Sequence, residues 1–194
     1  VRNRIPVAAL AALAIVGAFA VPASAAVNLA GETVAVEYRF PDTASVYPAA
    51  TPSSPVFVIG AGTESTVNVE GVTFIDVDFG AATLDLVFNT VLTSPTWNMV
   101  PFNGLVFTGP GLAQITGWTV NPTTSFGGGG FDASRVTRVG NELRLNWNGL
   151  TYHDGEVINL SFTGAGVPEP ATWAFMILGL GLVGVAYRHQ AAAV

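Results

Sequence analysis

Alternation with a period of two is the feature that most restricts what this chain can become. In Thr33-Val34-Ala35-Val36-Glu37-Tyr38-Arg39-Phe40, the residues Val34, Val36, Tyr38 and Phe40 fall on one side. Thr33, Glu37 and Arg39 fall on the other. Successive side chains of a strand point to opposite faces, so the pattern predicts a strand with one face buried. Comparable runs recur at residues 56–59, 66–70, 72–79, 83–88, 105–107, 115–120, 135–139, 142–147 and 156–162. Gly, Pro, Asn and Asp clusters separate them, as turn residues separate strands. No stretch between Ala26 and Val167 keeps a helical period for three turns. The expected fold class is all-β: an antiparallel β-sandwich or jelly-roll-like ectodomain.

One turn is sharply defined. Gly140-Asn141 stands between 136–139 and 142–145 and tolerates positive φ, which suits a two-residue hairpin. Apolar Val139, Leu143 and Leu145 alternate there with Arg138, Glu142 and Arg144. Residues 43–55 and 123–130 are loops by composition, the second carrying the flexible run Gly127 to Gly130.

Charge narrows the functions. Between Ala26 and Val167 the bases are Arg39, Arg135, Arg138 and Arg144, against twelve carboxylates, a net of 4 − 12 = −8. Phosphate backbones would repel such a body, and it has no basic stripe, so no nucleic-acid partner is expected. The chain has no cysteine, which removes disulfides, thiolate metal sites and a thiol nucleophile. The expectation is no cofactor. Gly179-Leu180-Gly181-Leu182-Val183-Gly184 matches the dinucleotide pattern GxGxxG but lacks the strand before it and the acidic residue about 20 positions after it. A Ser–His–Asp array would have to use His153 with Asp154 or a distant carboxylate, and no serine is marked out for it. No catalytic residues are assigned, and the chain reads as non-enzymatic.

Two weaker signals remain. Asp76 and Asp78 project from one side of a strand, and Asp85 could join them from the next. They are either a solvent face or the hard oxygen ligands of a calcium site, without the spacing of an EF-hand. Trp97, Trp118, Trp147 and Tyr152 either fill the core or line a sugar-stacking face.

The two ends carry targeting signals. Arg2 and Arg4 precede an apolar run over residues 5–21, and Ala23-Ser24-Ala25 is a small-residue cleavage site. Residues 1–25 are therefore expected to be a signal peptide with a helical apolar part, cut by signal peptidase to leave Ala26 first. At the other end Pro168-Glu169-Pro170 precedes an apolar run over residues 171–187 that closes on Arg188-His189. The prolines set where a helix starts, and the run is just long enough for a single transmembrane helix. Trp173 and Tyr187 fall at its interfaces, and Arg188 marks the cytoplasmic side, leaving residues 190–194 as a cytoplasmic tail. The glycines make a small-residue ridge that permits close helix approach.

This tail closely resembles the PEP-CTERM protein-sorting signal of Gram-negative bacteria. The match is carried by Val167-Pro168-Glu169-Pro170-Ala171-Thr172-Trp173-Ala174, Met176-Ile177, the run Gly179 to Gly184, and Arg188. The resemblance implies a sorting signal over residues 167–189, recognised by an exosortase near Pro168, Glu169 and Pro170. It also implies a transient membrane anchor, then surface or matrix display alongside exopolysaccharide and biofilm. The family usually ends in an arginine cluster, where this chain has Arg188 alone. Residues 26–166 are left as the ectodomain. The reading is an exported, non-enzymatic surface or extracellular-matrix protein; the alternative is a polysaccharide-binding module, with or without calcium.

Overall fold

The computed structural model describes residues 27–164, together with Ile177 and Leu180, which are helical and exposed. The predicted signal helix and most of the predicted transmembrane helix lie outside the described residues. Among the described residues, no helix is long and apolar enough to cross a membrane.

The body is all-β, in two antiparallel sheets. One sheet holds β1 (Thr33–Arg39), β3 (Val56–Val58), β7 (Gly104–Thr108), β9 (Val136–Val139) and β10 (Glu142–Asn146), in the order β3-β1-β7-β10-β9. The other holds β2 (Ala50–Pro52), β4 (Ser65–Val69), β5 (Thr73–Phe79), β6 (Thr83–Thr90), β8 (Ile115–Val120) and β11 (Glu156–Gly164), in the order β2-β4-β5-β6-β11-β8. Apart from the β4–β5–β6 meander and the β9–β10 hairpin, each connection carries the chain from one sheet to the other. Short 3₁₀ turns at Pro110–Gln114 and Ala133–Arg135 serve two of these crossings.

The period of two is what closes the two sheets on each other. Thr73, Ile75, Val77 and Phe79 of β5 are buried, and Phe74, Asp76 and Asp78 between them face outward. Val34, Val36 and Tyr38 of β1 come inward from the other sheet, with Leu143 and Leu145 of β10. Rings lock the layers: Phe79 meets Phe107 edge-on at 5.0 Å, and Phe88 meets Trp147 edge-on at 5.2 Å. Each fully buried side chain of this size contributes roughly 1.5–3 kcal/mol relative to exposure.

Strand β7 does not alternate, because it is central and covered on both sides. Val106 is buried on the outward face, between its cross-strand partners Glu37 and Arg144. Glu142 ties Arg144 to Arg39 above it, so charged stems form the lid over a valine. Gly104 opens this strand because nothing larger fits; a Cβ there would stand 1.9 Å from the Leu145 carbonyl oxygen.

Two local expectations change. The predicted loop 43–55 contains β2, a three-residue edge strand that pairs with β4 and ends on Pro52. Proline suits an edge because it has no N–H for a further ladder. The Gly140-Asn141 hairpin forms, with Gly140 at φ +61°. However, Val139 is exposed and does not share the buried side of Leu143 and Leu145. A two-residue turn puts Val139 opposite Glu142, so it must take the outward face, and Val136 fills the inner place opposite Leu145.

Candidate functional site

Aromatic residues collect at one end of the sandwich. Trp147 follows β10 directly and is fully buried. Its Nε1–H donates to Tyr38 Oη (3.0 Å), which donates to Asn103 Oδ1 (2.5 Å). Tyr152, 2% exposed, shares a buried hydrogen bond with Thr73 Oγ1 (2.6 Å), which is also bonded to Thr90 Oγ1 (3.0 Å). Trp97 stacks on Tyr152 at 4.9 Å with 10° between the planes and stays half-buried. Trp118 is far along the chain on edge strand β8, half-buried, with Nε1–H donating to the Ala133 carbonyl (3.1 Å). The four predicted aromatics therefore divide: Trp147 and Tyr152 belong to the core, while Trp97 and Trp118 keep part of their surface.

Asn146-Trp147-Asn148 braces this end. Asn146 Oδ1 accepts from the Asn103 N–H (3.0 Å), and Asn148 Nδ2 donates to the Val100 carbonyl (2.7 Å). Arg135 Nη1 donates to the Asn146 and Asn148 carbonyls (3.3 and 3.1 Å). Beside the bracing lies a groove of about 190 Å³, whose walls include Tyr38, Phe40, Tyr47, Glu70, Trp97 and Tyr152. Tyr47 Oη donates a short hydrogen bond to Glu70 Oε1. That bond, first, and partial desolvation raise the Tyr47 phenol above its ordinary value. Burial raises Tyr38 well above the usual tyrosine range and raises Tyr152 as well, so these phenols remain donors into alkaline solution.

A second cluster was not legible in the sequence. Ser94 Oγ lies 2.6 Å from His153 Nε2, and His153 Nδ1 lies 3.2 Å from Glu156 Oε1. Glu156 Oε2 accepts from the Gly127 N–H (2.9 Å), which anchors the glycine run between the buried rings of Phe126 and Phe131. Hydroxyl, imidazole and carboxylate thus stand in the order that activates a serine nucleophile. The setting differs from such a site. The imidazole is 60% exposed, and Ser94 is exposed and is not part of the groove wall. The contact joins the loop that carries Ser94 to the turn that carries His153 and Glu156. Asp154, the carboxylate nearest His153 in sequence, instead accepts from the Thr90 N–H (2.8 Å).

The candidate calcium ligands lie on the outward face of the six-stranded sheet. Asp76 accepts from Thr66 Oγ1 (2.7 Å) and Asn89 Nδ2 (2.9 Å), which occupies both its oxygens. Asp85 accepts from Asn159 Nδ2 (2.6 Å) and is the direct cross-strand partner of Asp78. Among the described residues, no group of three or more His, Cys, Asp or Glu side chains is placed to hold a metal ion. Ala23 and Ala25 of the expected cleavage site, and Pro168, Glu169, Pro170, Trp173 and Arg188 of the tail, lie outside the described residues.

A two-sheet β body ahead of a proline-marked apolar tail defines a class: an ectodomain delivered by a C-terminal sorting segment. The tail is identified directly, since a family model of the PEP-CTERM protein-sorting motif matches residues 166–190. The chain is thus an exported protein sorted by the exosortase system and anchored at the membrane before processing. The match covers the tail and leaves the body unassigned. No curated protein and no solved structure matches the chain.

Proposed function

We propose that the chain is a non-enzymatic surface or extracellular-matrix protein, released through its PEP-CTERM tail into an exopolysaccharide or biofilm matrix. The sorting motif at residues 166–190 carries this reading. Signal peptidase removes residues 1–25, the apolar segment 171–187 holds the intermediate in the inner membrane, and exosortase acts near Pro168-Glu169-Pro170. Replacing those three residues by alanine in an exosortase-bearing host should abolish the size shift and the extracellular release. Unchanged size and release would overturn the sorting route.

The non-enzymatic part has its own test at the Ser94–His153–Glu156 contact. A fluorophosphonate probe should leave Ser94 unmodified, because a largely solvent-exposed imidazole activates a hydroxyl poorly. Stoichiometric labelling of Ser94, lost in His153→Ala, would replace this reading with an acyl hydrolase.

A second reading, a polysaccharide-binding module, is favoured by one observation. The groove at the aromatic end combines half-buried rings with a carboxylate at one rim.

A further inference from the structure

We propose that this groove, whose lining includes Tyr47, Glu70, Trp97 and Asn98, takes one uncharged pyranose ring of an extracellular polysaccharide. The inference rests on the binding-module reading and gives it a site and a ligand class.

Four observations converge. The first is the chemistry of the walls. A pyranose presents C–H faces and a rim of hydroxyls, and aromatic rings with a few polar groups at the edge complement both. Tyr47 and Trp97 remain half-buried here, whereas their neighbours Trp147 and Tyr152 are closed into the core. Glu70, Thr96 and Asn98 supply acceptors and donors around them.

Backbone strain is the second. Among the described residues, the non-glycine residues with positive φ are Glu70 (φ 56°) and Ser94 (φ 50°). Glu70 is in the groove wall, and Ser94 lies between the wall residues Leu92 and Pro95. Such conformations persist only where surrounding structure holds them, and they gather at ligand-binding sites. Glu70 is held by Tyr47 Oη, by its own N–H to the Ala49 carbonyl (2.8 Å), and by Gly71 N–H to Asn68 Oδ1 (2.8 Å).

Charge and size complete the case. None of the groove's lining residues is basic, and Glu70 stands in its wall. A uronate or sulfated sugar would meet a carboxylate without a counter-charge, while a neutral hydroxyl can donate to it. At about 190 Å³ the groove is smaller than the roughly 300–1,000 Å³ of drug-sized sites and has room for about one sugar ring.

The test uses the purified full chain in affinity electrophoresis and isothermal titration. Probes are neutral glucans, mannans, galactans and N-acetylhexosamine polymers, with polyuronates as the anionic arm. At least one neutral polymer should retard the protein, and polyuronates should not. Glu70→Gln and Trp97→Phe, with melting temperatures checked, should weaken that binding roughly tenfold or more, the first because an amide replaces a charged acceptor and the second because the stacking surface shrinks. Trp118→Phe should bind as the wild type does. Retardation by no neutral polymer, equal binding of polyuronates, or undiminished binding by folded Glu70→Gln and Trp97→Phe would each overturn the assignment. None of these results touches the sorting route, which the Pro168-Glu169-Pro170 replacement reads separately.

Discussion

The aromatic end of the sandwich and the acidic face of its larger sheet are built from the same alternating strands, yet they finish differently. On the face, polar side chains satisfy one another across the strands: Thr66 and Asn89 hold Asp76, and Asn159 holds Asp85. At the end, the alternation stops and large rings must close the gap between the sheets. Trp147 and Tyr38 do so with a buried hydrogen-bond chain that ends on Asn103, Tyr152 does so with a separate one through Thr73, and Trp97 and Tyr47 are left half-covered beside an open groove. Two of the three carboxylates on the face are already partnered within the sheet; the end retains shape and surface for something else.

The sharpest way to break this contrast is to remove a ring. Trp147→Ala should cost about 3–5 kcal/mol in urea unfolding, as large buried aromatics do, because it empties the junction of both sheets. Asp78→Asn on the outward face should stay within about 0.5 kcal/mol. Similar losses for the two variants would dissolve the distinction.

Next in size is Tyr38→Phe. It keeps the ring but leaves the Trp147 Nε1–H and Asn103 Oδ1 short of a partner, which should cost about 1–3 kcal/mol. The same hydroxyl gives the end an alkaline signature. Burial raises the Tyr38 pKa, so its stabilisation is complete below the ordinary tyrosine value near 10 and is lost as pH climbs through the raised value. Wild-type unfolding monitored above pH 10 should therefore steepen, and Tyr38→Phe should flatten that limb.

On the acidic face, Asp76→Ala should cost about 0.5–1.5 kcal/mol by freeing Thr66 and Asn89. Adding calcium or chelator should leave the melting temperature where it was; a calcium-dependent rise abolished by Asp76→Ala would turn the face into a site.

The smallest effect belongs to the opposite sheet. The hydrogen bond from Arg144 holds Glu142 below its ordinary value of 4.5. A depressed carboxylate stabilises fully above that ordinary value, and the contribution disappears as pH falls through the lowered one. Because the pair is partly solvated, Glu142→Gln should change the acid limb by less than about 1 kcal/mol.

Much of the fold was legible because period two is strong wherever one face is buried. Ten strands were expected from that pattern and are present within a residue or two of their predicted positions. β2 escaped because Ala50-Thr51-Pro52 is too short to show alternation and lies among loop residues. Apolarity alone groups Val139 with Leu143 and Leu145, but the register of the two-residue turn sets it opposite Glu142, on the outward face. The groove was beyond reach for a different reason. Tyr47 and Trp97 come from connections that cross between the sheets and Glu70 from the turn between β4 and β5, so their meeting depends on the tertiary arrangement. Ser94 and His153 are likewise 59 residues apart, with no local pattern joining them. The sorting motif was recognisable because its signal is contiguous, prolines followed by an apolar run and a basic residue, and the family model matches there at residues 166–190.

The most direct measurement is the intact mass of the protein collected outside cells that carry an exosortase. The released chain should begin at Ala26 and end close to Pro168-Glu169-Pro170, without the apolar segment 171–187. A released protein that still carries residues 171–194, or one found only at the membrane at full length, would contradict processing at the tail.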